Sequence, residues 1–153
     1  MKITVMGIEY NQLLSGKALA EMGNEVTYIS KDSKRIDNIK RGYYNADEAI
    51  VIKSINKVES VGFTTDIKRA LEDSNMCFIS EGYSENNKQE MDNVLKSAKA
   101  VGANMSKHMF IVDRSKVSHS RVDEISKVIK DELSKRDTNL TFEIIANPDF
   151  LRA

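Results

Sequence analysis

Short apolar runs alternate along the chain with longer stretches in which apolar residues recur every three or four positions. Runs of the first kind are typical of buried strands, and stretches of the second kind are typical of amphipathic helices. The apolar runs predict six strands, at residues 3–6, 26–29, 61–65, 76–80, 109–112 and 140–146. The periodic stretches predict helices at residues 11–22, 32–40, 46–58, 66–71, 88–103 and 120–136.

Strands separated by helices indicate right-handed βαβ crossovers and a parallel sheet that is covered on both faces. The sequence therefore predicts an α/β fold: a Rossmann-like, doubly wound, mainly parallel six-stranded sheet with helices on both faces. The chain has 153 residues, and no linker, low-complexity tract or internal repeat interrupts the alternation. We therefore expect residues 1–153 to form a single domain.

Charge and cysteine content narrow the classes of function. Lysine plus arginine equals aspartate plus glutamate, 23 against 23, so no global field attracts nucleic acid or a membrane surface. The lone cysteine, Cys77, lies in an apolar run and is predicted to be a buried core residue. Neither a signal-peptide pattern nor an apolar stretch of membrane-spanning length is found, so we expect a cytosolic protein.

One local cluster of basic residues leaves nucleic-acid binding as an alternative. Two adjacent tyrosines, Tyr43 and Tyr44, follow this cluster, which consists of Lys31, Lys34, Arg35, Lys40 and Arg41. A solvated helix face accounts for these charges at least as well. The net charge of zero favours that second interpretation, so nucleic acid is not the expected partner.

Several sequence blocks are similar to those of the UDP-glucose/GDP-mannose dehydrogenase family, in family order and at about family spacing. The blocks are residues 1–7 (MKITVMG), 19–27 (LAEMGNEVT), 63–67 (FTTDI), 71–74 (LEDS), 111–115 (IVDRS) and 147–152 (NPDFLR). Family enzymes oxidise the C6 hydroxyl of a nucleotide sugar to a carboxylate with two NAD molecules in turn. They contain an NAD-binding domain, a central helical dimerisation region and a C-terminal domain, and this chain resembles only the first.

The resemblance places the cofactor loop at residues 7–12, which read GIEYNQ. A Rossmann loop has the pattern GxGxxG, whose glycines allow a tight turn, close approach to the pyrophosphate and close helix–strand contact. Here Gly7 keeps the first position, whereas Glu9 and Gln12 occupy the second and third. Tyr10 lies between them, at the expected start of a helix.

Glu9 adds bulk and negative charge where bare backbone would face a pyrophosphate. Steric and charge effects of about 3 kcal/mol together would weaken binding roughly a hundredfold. At the end of the second strand, where an acid ordinarily accepts hydrogen bonds from the ribose, the chain has Ser30, followed by Lys31. These two residues would suit the phosphate of NADP, but the altered loop argues against either dinucleotide. We therefore expect no cofactor, with NAD as the alternative.

The catalytic positions that the resemblance implies are altered as well. Lys116 stands where the family has a threonine that helps to position water, and Ala153 stands where it has a glutamate. The turn after the fourth strand begins at Gly82 but departs from the family's Gly-Thr-Pro. The nucleophilic cysteine of the family has no counterpart, because Cys77 is expected in a buried strand. No catalytic residue is therefore predicted, and the histidines and cysteine show no metal-ligand spacing.

These observations favour a catalytically incomplete pseudo-enzyme that acts as a protein-binding, regulatory or inhibitory module. The alternative is an NAD-binding fragment of a nucleotide-sugar dehydrogenase that requires partner domains. Phe150 and Leu151, after the sixth strand, are the expected interface for a homodimer or another protein, because exposed apolar patches commonly form interfaces.

Overall fold

The computed structural model describes residues 1–80, 87–114 and 119–146. Six strands alternate with helices along the chain, as the apolar pattern predicts. The strands are β1 (Lys2–Met6), β2 (Glu25–Ile29), β3 (Val61–Thr64), β4 (Met76–Ser80), β5 (Met109–Asp113) and β6 (Phe142–Ala146). The helices are α1 (Tyr10–Glu21), α2 (Ser33–Arg41), α3 (Ala49–Asn56), α4 (Ile67–Asp73), α5 (Asn87–Asn104) and α6 (His119–Lys135), and a short 3-10 turn, Ala46–Glu48, precedes α3.

The strands form one sheet in the order β3-β2-β1-β4-β5-β6, and every neighbouring pair is parallel. This order confirms the predicted Rossmann-like, doubly wound fold. The chain begins in the middle of the sheet, winds outward to β3 and then crosses to β4. The direction of winding therefore reverses between β1 and β4, and ligands of such folds bind in the crevice at the carboxyl ends of these strands.

Two groups of buried apolar side chains form the hydrophobic core. The first joins β1 and β2 to α1, α2 and α3 through residues such as Val5, Leu13 and Ile52. The second joins β4 and β5 to α5 and α6, with Ile111 and Ile129 completely buried. Among the helices of the described ranges, none is long and apolar enough to cross a membrane.

Helix α1 lies unusually close to β2 at Gly16. A Cβ atom built on Gly16 would overlap the phenol oxygen of Tyr28 and would lie 2.6 Å from its Cε1 atom. The Tyr28 hydroxyl donates a 2.7 Å hydrogen bond to the Leu13 carbonyl, and its ring stacks on Phe63 with centroids 5.0 Å apart. Because Gly16 has no side chain, α1 can approach β2 closely at this point.

The observed boundaries differ from the predicted ones by a few residues, for local reasons. Asp32 was expected inside the second helix, but its carboxylate accepts a hydrogen bond from the Arg35 backbone N–H, so it caps α2 from outside. The third predicted helix, at residues 46–58, is divided into the 3-10 turn and α3. The last strand begins at Phe142, the residue that pairs with Met109, and not at residue 140.

Candidate functional site

The turn that follows β1 has the backbone conformation that a phosphate-binding loop requires. Gly7 has φ +115°, a value that side-chain-bearing residues rarely adopt, and its N–H donates to the Ile29 carbonyl at 2.8 Å. The turn leads directly into α1, whose N-terminus lies at the carboxyl edge of the sheet. Ile8 is buried between them and fixes the position of the turn. Gly7 and Ile8 therefore fix the backbone of the turn at the carboxyl edge of the sheet.

The side chain of Gln12 folds back over this turn. Its Oε1 atom accepts a 2.7 Å hydrogen bond from the backbone N–H of Glu9, which satisfies a donor at the start of α1. A Cβ atom at Gly7 would lie 2.6–2.7 Å from three atoms of the Gln12 carboxamide, so this group rests directly on Gly7. The Gln12 side chain thus fills the space beside Gly7, the first glycine of the loop.

The role expected for Gln12 therefore changes. The sequence placed it at the point of close helix–strand contact, but its side chain turns towards Gly7 and leaves that contact intact. The close approach occurs one turn later, at Gly16. The Gln12 side chain consequently lies against the Gly7 turn and not between α1 and the sheet.

Glu9 and Tyr10 lie at the mouth of the cleft. Glu9 is the residue before α1, with φ −74° and ψ 169°, so its backbone is relaxed without glycine. Its side chain is exposed, and Tyr10 is 44% exposed. The Glu9 side chain also faces the backbone N–H of Gln12, which completes a capping box at the start of α1. Both altered loop positions therefore place a side chain at the N-terminus of this helix.

Arg35 ties the turn to the neighbouring helix. Its Nη2 atom donates to the Ile8 carbonyl at 2.8 Å and to Glu48 Oε1 at 2.7 Å. The hydrogen bond with Glu48 raises the pKa of Arg35 above its ordinary value against the opposing effect of burial, and the charge of Glu9 acts in the same direction. Because Glu48 is only 7% exposed, this ion pair is substantially shielded from water. Arg35 thus holds the loop and α2 together through its hydrogen bond to the Ile8 carbonyl.

Ser30 directly follows β2, at the carboxyl edge of the sheet. Its hydroxyl accepts a 3.1 Å hydrogen bond from the Asp32 backbone N–H, and its own N–H donates to the Thr64 carbonyl. Lys31 and Lys34 are both exposed beside it, and within the described ranges neither forms an ion pair. The predicted basic cluster is therefore divided, because Arg35 is engaged by Glu48 while Lys40 and Arg41 lie in the last turn of α2.

A second ion pair lies at the carboxyl end of β5. Asp113 is completely buried and accepts hydrogen bonds from Arg121 Nε at 2.8 Å and Nη2 at 3.3 Å. This pair fastens the beginning of α6 to the sheet. The neighbouring Arg114 donates a 2.7 Å hydrogen bond to the Ser15 hydroxyl, which is buried on α1. Asp113 and Arg114, at the carboxyl end of β5, are thus bonded to α6 and to α1, respectively.

The structure brings Gly7, Glu9, Tyr10, Gln12 and Ser30 to one edge of the sheet. The predicted residues Gly82, Phe150 and Leu151 lie outside the described ranges, as do Lys116 and Ala153.

Cys77 is buried as predicted, and burial raises the pKa of its thiol, so the reactive thiolate is disfavoured. Within the described ranges no group of three histidine, cysteine or acidic residues is placed to hold a metal ion.

Sequence reasoning missed Gly16 and the two buried ion pairs. An isolated glycine inside a helical pattern commonly has a structural reason, so Gly16 could have been recognised. The ion pairs had no such signal, because Arg35 and Glu48 are 13 positions apart, and Asp113 and Arg121 are 8 positions apart on different elements.

Comparison with known proteins agrees with this geometry. Residues 1–153 match the profile described as the UDP-glucose/GDP-mannose dehydrogenase family, NAD binding domain. The chain is 25% identical over 157 residues to a UDP-glucose 6-dehydrogenase of Pseudomonas aeruginosa, and 28% identical over 158 residues to one of Rhizobium meliloti. Each alignment covers 99% of this chain but 35% of the relative, so the chain spans about a third of these relatives' length.

Solved structures show the same fold. A GDP-mannose dehydrogenase ternary complex from Pseudomonas aeruginosa superposes with a TM-score of 0.76 at 24% identity, over 99% of this chain and 37% of that one. A UDP-glucose dehydrogenase from Pyrobaculum islandicum gives a TM-score of 0.77 at 18% identity, over 98% and 36%. From the profile match over its whole length, the chain belongs to the UDP-glucose/GDP-mannose dehydrogenase family and corresponds to its NAD-binding domain.

Proposed function

We propose that this chain is a dinucleotide-binding domain that contributes to a nucleotide-sugar dehydrogenase only together with further domains, and that it does not catalyse hydride transfer alone. The observation that carries the proposal is the intact Gly7 turn, with its positive φ, at the point where the strand order reverses. Family membership supports it. The curated relatives are dehydrogenases about three times as long as this chain, and their additional length can contain the further domains that the reaction requires.

Different residues of the cleft would bind different parts of the dinucleotide. The α1 N-terminus and the Gly7 turn would face the pyrophosphate, because helix N-termini offer unpaired N–H groups to anions. Ser30 and its neighbours would contact the adenosine ribose. Arg35 would hold the turn in place through the Ile8 carbonyl. A bound nicotinamide nucleotide would supply the hydride chemistry, and the protein groups described here would orient it.

Binding requires that the Gln12 side chain leave the turn. The move breaks one capping hydrogen bond, and such a bond contributes about 1 kcal/mol to a folded protein. It also frees the Glu9 N–H for the ligand. We therefore expect a dinucleotide to bind about fivefold more weakly than it would to a loop without this side chain.

A second candidate function is favoured by the same hydrogen bond. A loop that satisfies its own donor with Gln12 needs no ligand, which suits a regulatory or protein-binding module that has kept the shape of the domain. In this case the chain is a pseudo-enzyme. Under both proposals we place it in the cytosol, where disulfides are rare, because its one cysteine can form no disulfide within the chain.

Isothermal titration calorimetry with NAD+, NADH and NADP+ distinguishes the two functions. The dinucleotide-binding proposal predicts saturable binding of one molecule per chain with a dissociation constant of about 0.1 mM for at least one of the three. A chain that produces no heat with any of them at millimolar concentration would instead support the pseudo-enzyme.

We also propose that Phe150 and Leu151 form an interface, with a homodimer as the partner to test first. Replacing both residues with alanine is expected to raise the fraction of monomer at micromolar concentration, because apolar contact area is lost. Sedimentation velocity measures this change. The exposed Ile50, replaced with alanine, is the matched control for general surface hydrophobicity. A wild-type chain that is already a strict monomer would rule out the homodimer.

A further inference from the structure

Adjacent residues at the end of β5 are bonded to helices on opposite faces of the sheet, because side chains alternate along a strand. Val112 packs in the core group that contains α1. Asp113 faces the other side, where Arg121 of α6 donates to it at 2.8 Å. Arg114 returns to the first side, where its Nη1 atom donates to the Ser15 hydroxyl of α1 at 2.7 Å. The end of β5 is therefore fastened to a helix on each face.

The hydrogen bond between Arg114 and Ser15 joins the two halves of the fold. Helix α1 belongs to the half formed by β1, β2 and β3, whereas Arg114 follows β5 in the half formed by β4, β5 and β6. In the sheet β4 lies between β1 and β5, so this bond bridges the boundary at which the winding reverses. Dinucleotide-binding folds of this kind consist of two mononucleotide-binding halves and bind the whole ligand across that boundary.

The surroundings of this hydrogen bond favour one fixed spacing between the halves. Ser15 is buried in α1, and Arg114 is half-buried. A guanidinium is planar, and its donors point in fixed directions. The preceding residue, Asp113, is completely buried and held by two hydrogen bonds from Arg121, so the backbone at the base of Arg114 is fixed as well. The Arg114 side chain thus connects a fixed strand end to a buried point on α1.

We propose that Arg114, acting through Ser15, sets the spacing between the two halves of the cleft and is a positioning residue for dinucleotide binding. A dinucleotide has to contact both halves at once, so its affinity depends on that spacing. ADP carries only the adenosine and the two phosphates, fits the first half and the α1 N-terminus, and does not depend on it. This inference rests on the proposed dinucleotide-binding function and adds a positioning residue to it.

Calorimetric titrations test the difference between the two ligands. They use ADP and whichever of NAD+, NADH and NADP+ binds the wild-type chain most tightly. In Arg114→Met and in Ser15→Ala we expect the dinucleotide to bind about fivefold more weakly, because the hydrogen bond between the halves is lost. ADP should bind each variant as it binds the wild type, to within about twofold. The double variant should bind the dinucleotide no more weakly than Arg114→Met alone, since both changes remove the same bond.

Two variants separate the bridge from charge and from general stability. Ser15→Ala keeps the guanidinium and its charge, and alanine is a good helix former. Arg136→Met is the matched control, because Arg136 also joins two elements, by donating to the Gly102 carbonyl at 2.8 Å. It follows the end of α6, at the opposite edge of the sheet from the cleft. The control should leave the ratio of the ADP and dinucleotide dissociation constants unchanged.

Equal weakening of ADP and dinucleotide binding by Ser15→Ala would overturn the inference, since it would show a general loss of binding. A Ser15→Ala variant that binds the dinucleotide as tightly as the wild type would overturn it as well. In both cases the wild-type chain still binds a dinucleotide, so the proposed function stands. If the wild-type chain binds none of the three dinucleotides at millimolar concentration, both proposals fail.

Discussion

Replacing Arg121 with methionine is expected to lower the free energy of unfolding by about 3 kcal/mol, because it removes the guanidinium that is bonded to the buried carboxylate of Asp113. Asp113 is completely buried, and Arg121 gives it two hydrogen bonds across the start of α6. Methionine keeps much of the side-chain length but supplies neither charge nor donors. Chemical denaturation measures the loss, which corresponds to a fall in Tm of about 9 °C for a domain of this size.

Two variants show whether the buried charge is responsible. Arg41→Met removes an exposed arginine from the end of α2 and should change stability by no more than about 0.5 kcal/mol. Asp113→Asn combined with Arg121→Met removes both charges and is expected to be at least about 1 kcal/mol more stable than Arg121→Met alone. If the double variant is as unstable as the single one, the loss comes from the shape of the arginine and not from its charge beside Asp113.

Replacing Gly16 with alanine is expected to destabilise the fold by about 2 kcal/mol, although alanine is the better helix former by about 1 kcal/mol. The added methyl group would overlap the Tyr28 phenol, which cannot easily move, because it is buried, stacked on Phe63 and hydrogen-bonded to Leu13. Thermal unfolding measures the effect, with an expected fall in Tm of about 6 °C.

Gly62 provides the matched control. It lies in β3 with open space around its Cα and no positive φ, so Gly62→Ala should be neutral or stabilising by about 0.5 kcal/mol. If Gly16→Ala is as harmless as Gly62→Ala, α1 can move away from β2 without loss, and Gly16 does not set the position of the helix.

The fold could be predicted from the sequence because each strand is a short apolar run bounded by turn residues. In α3 the limits of the pattern are visible. Ile50, Val51 and Ile52 are consecutive aliphatic residues, yet Ile50 is 84% exposed while the other two are buried. Only their spacing to Ile55 identifies the inner face, because residues three and four positions apart share one side of a helix.

The cleft was predicted in location but not in detail. The family resemblance placed Gly7, Glu9, Gln12 and Ser30 in the cleft, and the carboxyl ends of parallel strands meet at that edge of the sheet. Which way a side chain turns depends on neighbouring donors, and the Gln12 carboxamide turns to the Glu9 N–H. The sequence singled out Glu9, and the structure adds that the Gln12 carboxamide rests on the turn beside it.

The most direct test of this account compares nucleotide binding by the wild-type chain and Gln12→Ala. Alanine removes the carboxamide from Gly7 and leaves the Glu9 N–H available, while α1 keeps a good helix former. Calorimetric titration with NADP+ and NAD+ should show about fivefold tighter binding to the variant for whichever nucleotide binds the wild type. Unchanged or weaker binding to Gln12→Ala would contradict the claim that this side chain occupies the place of the phosphates.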